Sequence, residues 1–326
     1  MRIYRKDSSI RGNVLRELMS DVTAIKSIGK KIKTGEMRAN PIEPEWKCPK
    51  GYVWDKIDRE HYVLEVQYPK ENRNHLWILQ LHGGGYIGPM KNAYRNFGIK
   101  YSEHNGGCSV VTPDYRVAPK HPFPAALQDC IDAYQWILEH GVKEEQIVLV
   151  GDSAGGGLVF ALGLWLKEQG KPMPKGMITM SAWTDVSCSG SSYKTNFQKD
   201  PLFGNTKESM LYRKDYIREQ DPKNPLLSPL FGDLSGFPPI HMQVGSYEML
   251  LSDTEEFAKK ASEAKVSVEV VIFEKMFHVF PMAGNLIPET QEAWKCIETF
   301  LNRIYEKSSS PLQMGVEGEQ NHPIKS

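Results

Sequence analysis

Gln146-Ile147-Val148-Leu149-Val150-Gly151-Asp152-Ser153-Ala154-Gly155-Gly156-Gly157-Leu158 decides how the rest of the chain is read. The apolar run at its start is what a strand buried on both faces of a parallel sheet requires. Its end opens the longest apolar stretch of the chain, Gly157–Leu166, which predicts a buried helix. Between the two lies G-x-S-x-G, a pattern that alone turns up by chance in roughly one protein in ten. Placement gives it weight. A serine in a tight strand-to-helix turn needs glycines on either side, because strand and helix approach closely there. The turn lifts the hydroxyl clear of the sheet, and the helix behind it adds free N–H groups and positive dipole where an oxyanion would form. Ser153 is the candidate nucleophile; the competing reading is a small-residue turn without chemistry.

Outward from this stretch, short β-rich runs alternate with helical ones. Strands are expected at 62–68, 76–81, 109–113, 146–150, 177–181, 240–244 and 266–273. Leu127, Ile131, Tyr134 and Leu138 make one helical face, and Trp294, Ile297, Leu301 and Ile304 another. Ser252 and Glu255 have the spacing of a capping box, with Ser252 as N-cap of a helix running to about Ala264. The fold class is α/β: a mostly parallel central sheet flanked by helices.

Upstream, His82-Gly83-Gly84-Gly85 closes the strand 76–81. Consecutive glycines leave N–H groups uncovered, as an oxyanion hole needs, and this arrangement accompanies the nucleophile elbow. Gly83-x-Gly85-x-x-Gly88 also satisfies the dinucleotide fingerprint G-x-G-x-x-G. Pro89 follows at once and Asp114 lies in a Pro-Asp-Tyr turn, so the context of that motif is wrong. Downstream, His278 follows the last strand, at the carboxyl edge where such sheets bind ligands. Serine, then acid, then histidine is the chain order of a nucleophile triad on an α/β sheet. Two acids compete in Gly245–Asp253. Glu248 lies in the loop after the strand 240–244, whereas Asp253 follows the expected N-cap and has a second purpose beside the helix dipole.

The 326 residues carry 40% hydrophobic and 25% charged side chains, with forty Lys+Arg against forty Asp+Glu. That balance argues against a general nucleic-acid binder and against disorder. Five scattered cysteines without a C-x-x-C pair predict neither a disulfide framework nor a zinc site, and a reducing compartment. No apolar run reaches the roughly 18–20 residues of a membrane span, and no secretory signal is visible, so a cytoplasmic location is expected. Residues 1–40 hold ten Lys/Arg against four Asp/Glu. Ile10, Val14, Leu18, Val22, Ile25 and Ile28 repeat there at helical spacing, a stripe expected to pack on the parent domain rather than on a membrane. Residues 184–235 lack strand periodicity and read as an insertion, and 308–326 as a disordered polar tail.

The chain resembles the hormone-sensitive-lipase family of α/β-hydrolase esterases. The resemblance rests on His82–Gly85, Asp114–Pro119, His121–Ala126, Gly151–Gly156 and Ser228-Pro229-Leu230. It implies an α/β-hydrolase domain over 46–307, capped by N-terminal helices within 1–45 and by the segment 184–235. It implies an oxyanion hole of Gly84, Gly85 and Ala154, with Gly83 a further candidate, and an acid where Glu248 stands, more often an aspartate. The activity implied is serine carboxylesterase, acting without metal or organic cofactor on small uncharged esters of short acyl chain, acetyl to about hexanoyl. An amidase or deacetylase could use the same triad. A non-catalytic small-molecule receptor on this fold would lack the histidine. The resemblance also leaves room for a homodimer, since the family often pairs through its last strand.

Overall fold

A computed structural model describes residues 1–21, 43–71, 73–204 and 213–306. In chain order its elements are β1 (Arg2–Lys6), α1 (Ile10–Asp21), β2 (Tyr52–Asp58), β3 (Val63–Pro69), β4 (Trp77–Leu81), α2 (Asn92–His104), β5 (Ser109–Asp114) and α3 (Ala125–Glu139). Then follow β6 (Ile147–Asp152), α4 (Ala154–Glu168), β7 (Gly176–Met180), β8 (Ile240–Gly245), α5 (Leu251–Glu263), β9 (Val268–Phe273) and α6 (Pro288–Glu306). The described strands form one sheet in the order β1-β9-β8-β7-β6-β4-β5-β3-β2. From β1 to β5 all neighbours are parallel; β3 and β2 add antiparallel strands at the other end.

Strand alternation explains the apolar runs. Leu79, Leu81, Ile147 and Leu149 face α3, α4 and α5, in a core with Ile137, Leu158, Phe160 and Phe257. Ile78, Val148, Val150 and Ile178 face the opposite way, onto Phe97 and Tyr101 of α2 and Trp294, Phe300 and Leu301 of α6. Each such side chain contributes about 1.5–3 kcal/mol by leaving water, which fixes the register on both faces. The carboxyl ends of β4, β6, β7, β8 and β9 therefore emerge together, and their loops carry the candidate site residues.

Several expectations need correction. Arg2–Lys6, placed within a helical cap by the sequence, is instead an edge strand parallel to β9. Arg5 pairs with Glu274 at 2.6 Å and Lys6 with Glu292 at 2.8 Å, so charge rather than apolar burial seats it. β1 thus lies between β9 and the margin of the sheet. The apolar stripe of α1 also faces the wrong way: Ile10 is 83% and Leu18 54% exposed. The packed face is Gly12, set against Glu289 and Met276, with Leu15 and Met19 beside it. Val22, Ile25 and Ile28 lie outside the described residues, as does the tail 308–326. Ser252 is not an N-cap. The helix starts one residue before it, after a turn closed by Leu251 N–H on the Glu248 carbonyl, and the Ser252 hydroxyl meets that of Ser192 at 2.6 Å. In the described part of 184–235 there is no strand, only short helical turns at Ser192–Thr195, Arg213–Ile217 and Pro229–Phe231.

Candidate active site

Ser153 occupies the turn between β6 and α4 with φ +53° and ψ −122°. A non-glycine residue held there is strained, and the surroundings hold it. Its N–H donates to the Met180 carbonyl at 3.0 Å, and its own carbonyl accepts the Trp183 N–H at 2.9 Å. Gly155 makes the turn feasible: a Cβ there would collide with the carbonyl oxygens of Leu81 and His82. The first N–H groups of α4 thus open toward the loop after β4.

That loop is built on Asp152. Its buried carboxylate accepts the Gly83 N–H at 3.2 Å and the Tyr94 hydroxyl at 3.1 Å. Gly83 must be glycine, because a Cβ would run into that carboxylate and the Tyr94 hydroxyl. Burial pushes the Asp152 carboxyl up to about 6, against its hydrogen bonds to Tyr94 and Gly83 and the nearby His278. His82 is buried with its ring stacked on Tyr115 at 3.9 Å, and its Nδ1–H donates to the Gly83 carbonyl at 2.7 Å. Burial holds this imidazole neutral, down to about 4. Gly84, Gly85 and Ala154 donate to no protein acceptor among the described residues. The turn is closed on its far side by Gly88 N–H on the Gly84 carbonyl, and α2 begins only after Pro89, so no dinucleotide-type helix follows the glycines.

His278 follows β9 and donates from Nδ1 to Glu248 Oε2 at 3.0 Å. The other carboxylate oxygen, Oε1, accepts the Ser181 hydroxyl at 2.8 Å and the Gly245 N–H. Glu248 is wholly buried. Asp253 points elsewhere: its Oδ2 accepts the N–H groups of Thr184 and Asp185, both at 2.9 Å, and ties the loop after β7 to α5. Phe203, from the segment 184–235, meets the His278 ring edge-to-face at 4.7 Å.

Ser153, His278, Gly84 and Gly85 line one cavity of about 440 Å³. Its walls are apolar: Leu15 and Met19 of α1, Leu202 and Phe203 of the insertion, and Phe277 and Met282 beyond β9. Both segments expected to cap the pocket therefore contribute walls. Asp152, Ser181 and Phe203 join the site beside the residues that sequence reasoning singled out. Asp152, the polar residue that ends β6 directly before the nucleophile, carries a local signal, whereas Ser181 and Phe203 depend on partners distant in sequence.

An elbow serine, a histidine with a buried carboxylate partner and uncovered N–H groups around one cavity define the α/β-hydrolase class of enzyme. A family model described as alpha/beta hydrolase fold matches residues 78–282. An acetyl-hydrolase of Streptomyces hygroscopicus is 34% identical over 224 residues, covering 69% of this chain and 74% of its own. An esterase of Acinetobacter venetianus is 35% identical over 228 residues, covering 70% and 75%. The crystal structure of a hormone-sensitive lipase from a metagenome library superposes with a TM-score of 0.80 at 31% identity, covering 91% of this chain and 99% of that one. The chain belongs to the hormone-sensitive-lipase family of α/β-hydrolases.

Proposed function

We propose that this protein is a serine carboxylesterase that hydrolyses small, uncharged esters of short acyl chain through an acyl-enzyme. Ser153 attacks the ester carbonyl, and its proton passes to His278 and then to the departing alcohol. Glu248 holds the imidazole in the tautomer that leaves Nε2 free for the serine and balances the charge of the imidazolium. The N–H groups of Gly84, Gly85 and Ala154 receive the oxyanion, each such donor typically worth about 3–4 kcal/mol of the barrier. Gly83 is left out because its N–H is committed to Asp152. Water, activated by the same histidine, releases the acid.

The observation that carries this reading is the His278–Glu248 hydrogen bond at the wall of a cavity shared with Ser153. Among the described residues no Lys or Arg lines that cavity, which favours neutral substrates, and its volume suits a small ligand. The relatives named acetyl-hydrolase and esterase support the same class. A series of nitrophenyl esters from acetyl to dodecanoyl, run beside the matching anilides, tests it. The highest kcat/KM should fall at hexanoyl or below, with anilides orders of magnitude slower. A fluorophosphonate should label Ser153 stoichiometrically, and labelling that survives Ser153→Ala would refute the assignment.

A further inference from the structure

We propose that Ser181 is a positioning residue for this hydrolysis, its hydroxyl fixing the distance and angle between Glu248 and the loop that carries His278. The inference rests on the triad assigned above. Ser181 comes directly after β7, the strand between the nucleophile's β6 and the acid's β8. It is fully buried, and its N–H donates to the Gln243 carbonyl at 2.7 Å. Its hydroxyl donates to Glu248 Oε1 at 2.8 Å and accepts the Val279 N–H at 3.1 Å. A serine hydroxyl has one proton and two lone pairs. Here the proton is spent on the acid and a lone pair on the residue next to the histidine.

Two features make this bridge more than a satisfied core hydroxyl. The first is the length of the acid. A glutamate has one more rotatable bond than an aspartate and more freedom to lose when fixed. Pinning Oε1 with Ser181 and the Gly245 N–H leaves Oε2 aimed at the imidazole. The second is the backbone. Val279 sits in the left-handed region at φ +47°, and Ser181 itself at +51°. For a β-branched residue that is an outlier, which persists only where the surroundings over-determine it. The hydroxyl of Ser181 holds the Val279 N–H in that conformation, and His278 with it. Without the hydroxyl, Glu248 can swing off the imidazole while Ser153 and the apolar walls stay in place. That predicts a loss in kcat with little change in KM.

The test is a double-mutant cycle on a soluble nitrophenyl ester, using wild type, S181G, E248Q and S181G/E248Q. Glycine accepts φ +51° without strain and removes the hydroxymethyl group, whereas alanine would keep the Cβ, and with it the backbone strain, that serine already carries there. S181G should lower kcat 10–100-fold and leave KM within threefold. In the E248Q background the further loss from S181G should be twofold or less, because the group it orients is already disabled. An equal loss in both backgrounds would show a general structural effect and overturn the proposal, as would S181G within twofold of wild type. S181C puts a thiol of similar reach and weaker hydrogen bonding in place of the hydroxyl, and wild-type kcat in folded S181C counts against the proposal equally. Wild-type activity in E248Q would bring down the triad itself. An inactive E248Q beside a fully active S181G removes Ser181 alone.

Discussion

At the scale of single residues, the two acids after β8 separate by what they touch. Glu248→Gln should cut kcat about 10³–10⁴-fold with the fold unchanged, as when a triad histidine loses its orienting charge. Asp253→Ala should leave activity per folded molecule intact. It strands the buried N–H groups of Thr184 and Asp185, so it should cost about 2–4 kcal/mol in denaturant unfolding. Asp152 yields a pH prediction. Its folded carboxyl is raised to about 6 from 3.8, so its stability is fully present below pH 4 and is lost as pH rises through 6. Asp152→Asn escapes that loss: thermal melts should show it more stable than wild type at pH 7.5, by about 1–3 kcal/mol, with the gap closing at pH 4. The sequence made Ser153, His278, Glu248 and the glycine loop legible because turn chemistry and chain order constrain them locally. Ser181 was not legible, because its partners lie 67 and 98 residues away and only the packing of neighbouring strands brings them together.

At the scale of elements, the buried parallel strands announced themselves as continuous apolar runs, while β1 and β2 did not. Arg-Ile-Tyr-Arg-Lys and Tyr-Val-Trp-Asp-Lys-Ile-Asp sit at the margins with no residue fully buried, where neither face demands an unbroken apolar pattern. The α1 stripe misled for a related reason. Helical periodicity marks an apolar face, but what α1 packs against is decided by Gly12 fitting over Glu289 and Met276. Leu15 and Met19 then become a wall of the cavity. Removing residues 1–21 should raise KM for longer acyl chains about 3–10-fold, while fluorophosphonate labelling of Ser153 proceeds. Co-sedimentation of the full chain with anionic vesicles checks the alternative expected of a basic amphipathic helix, and loss of vesicle binding with unchanged KM would assign α1 to a membrane surface.

At the scale of the whole molecule, alternation of strands and helices was enough to name the layered α/β architecture. The strand order was not, because register between distant strands is a property of the folded sheet. No helix among the described residues is long and apolar enough to cross a membrane. The β1–β9 pairing also sets a timetable for synthesis. Arg5 and its partner Glu274 are 269 residues apart. At ribosomal rates of about 5–20 residues per second, β1 waits roughly 15–50 s before the strand it joins has been made. A long apolar edge left open for that time would recruit other nascent chains. Arg-Ile-Tyr-Arg-Lys is short and mostly cationic, so it can remain solvated while the rest of the sheet assembles. Its docking on β9, sealed by Glu274 and Glu292, is then a step that waits until the chain has been made past Glu292.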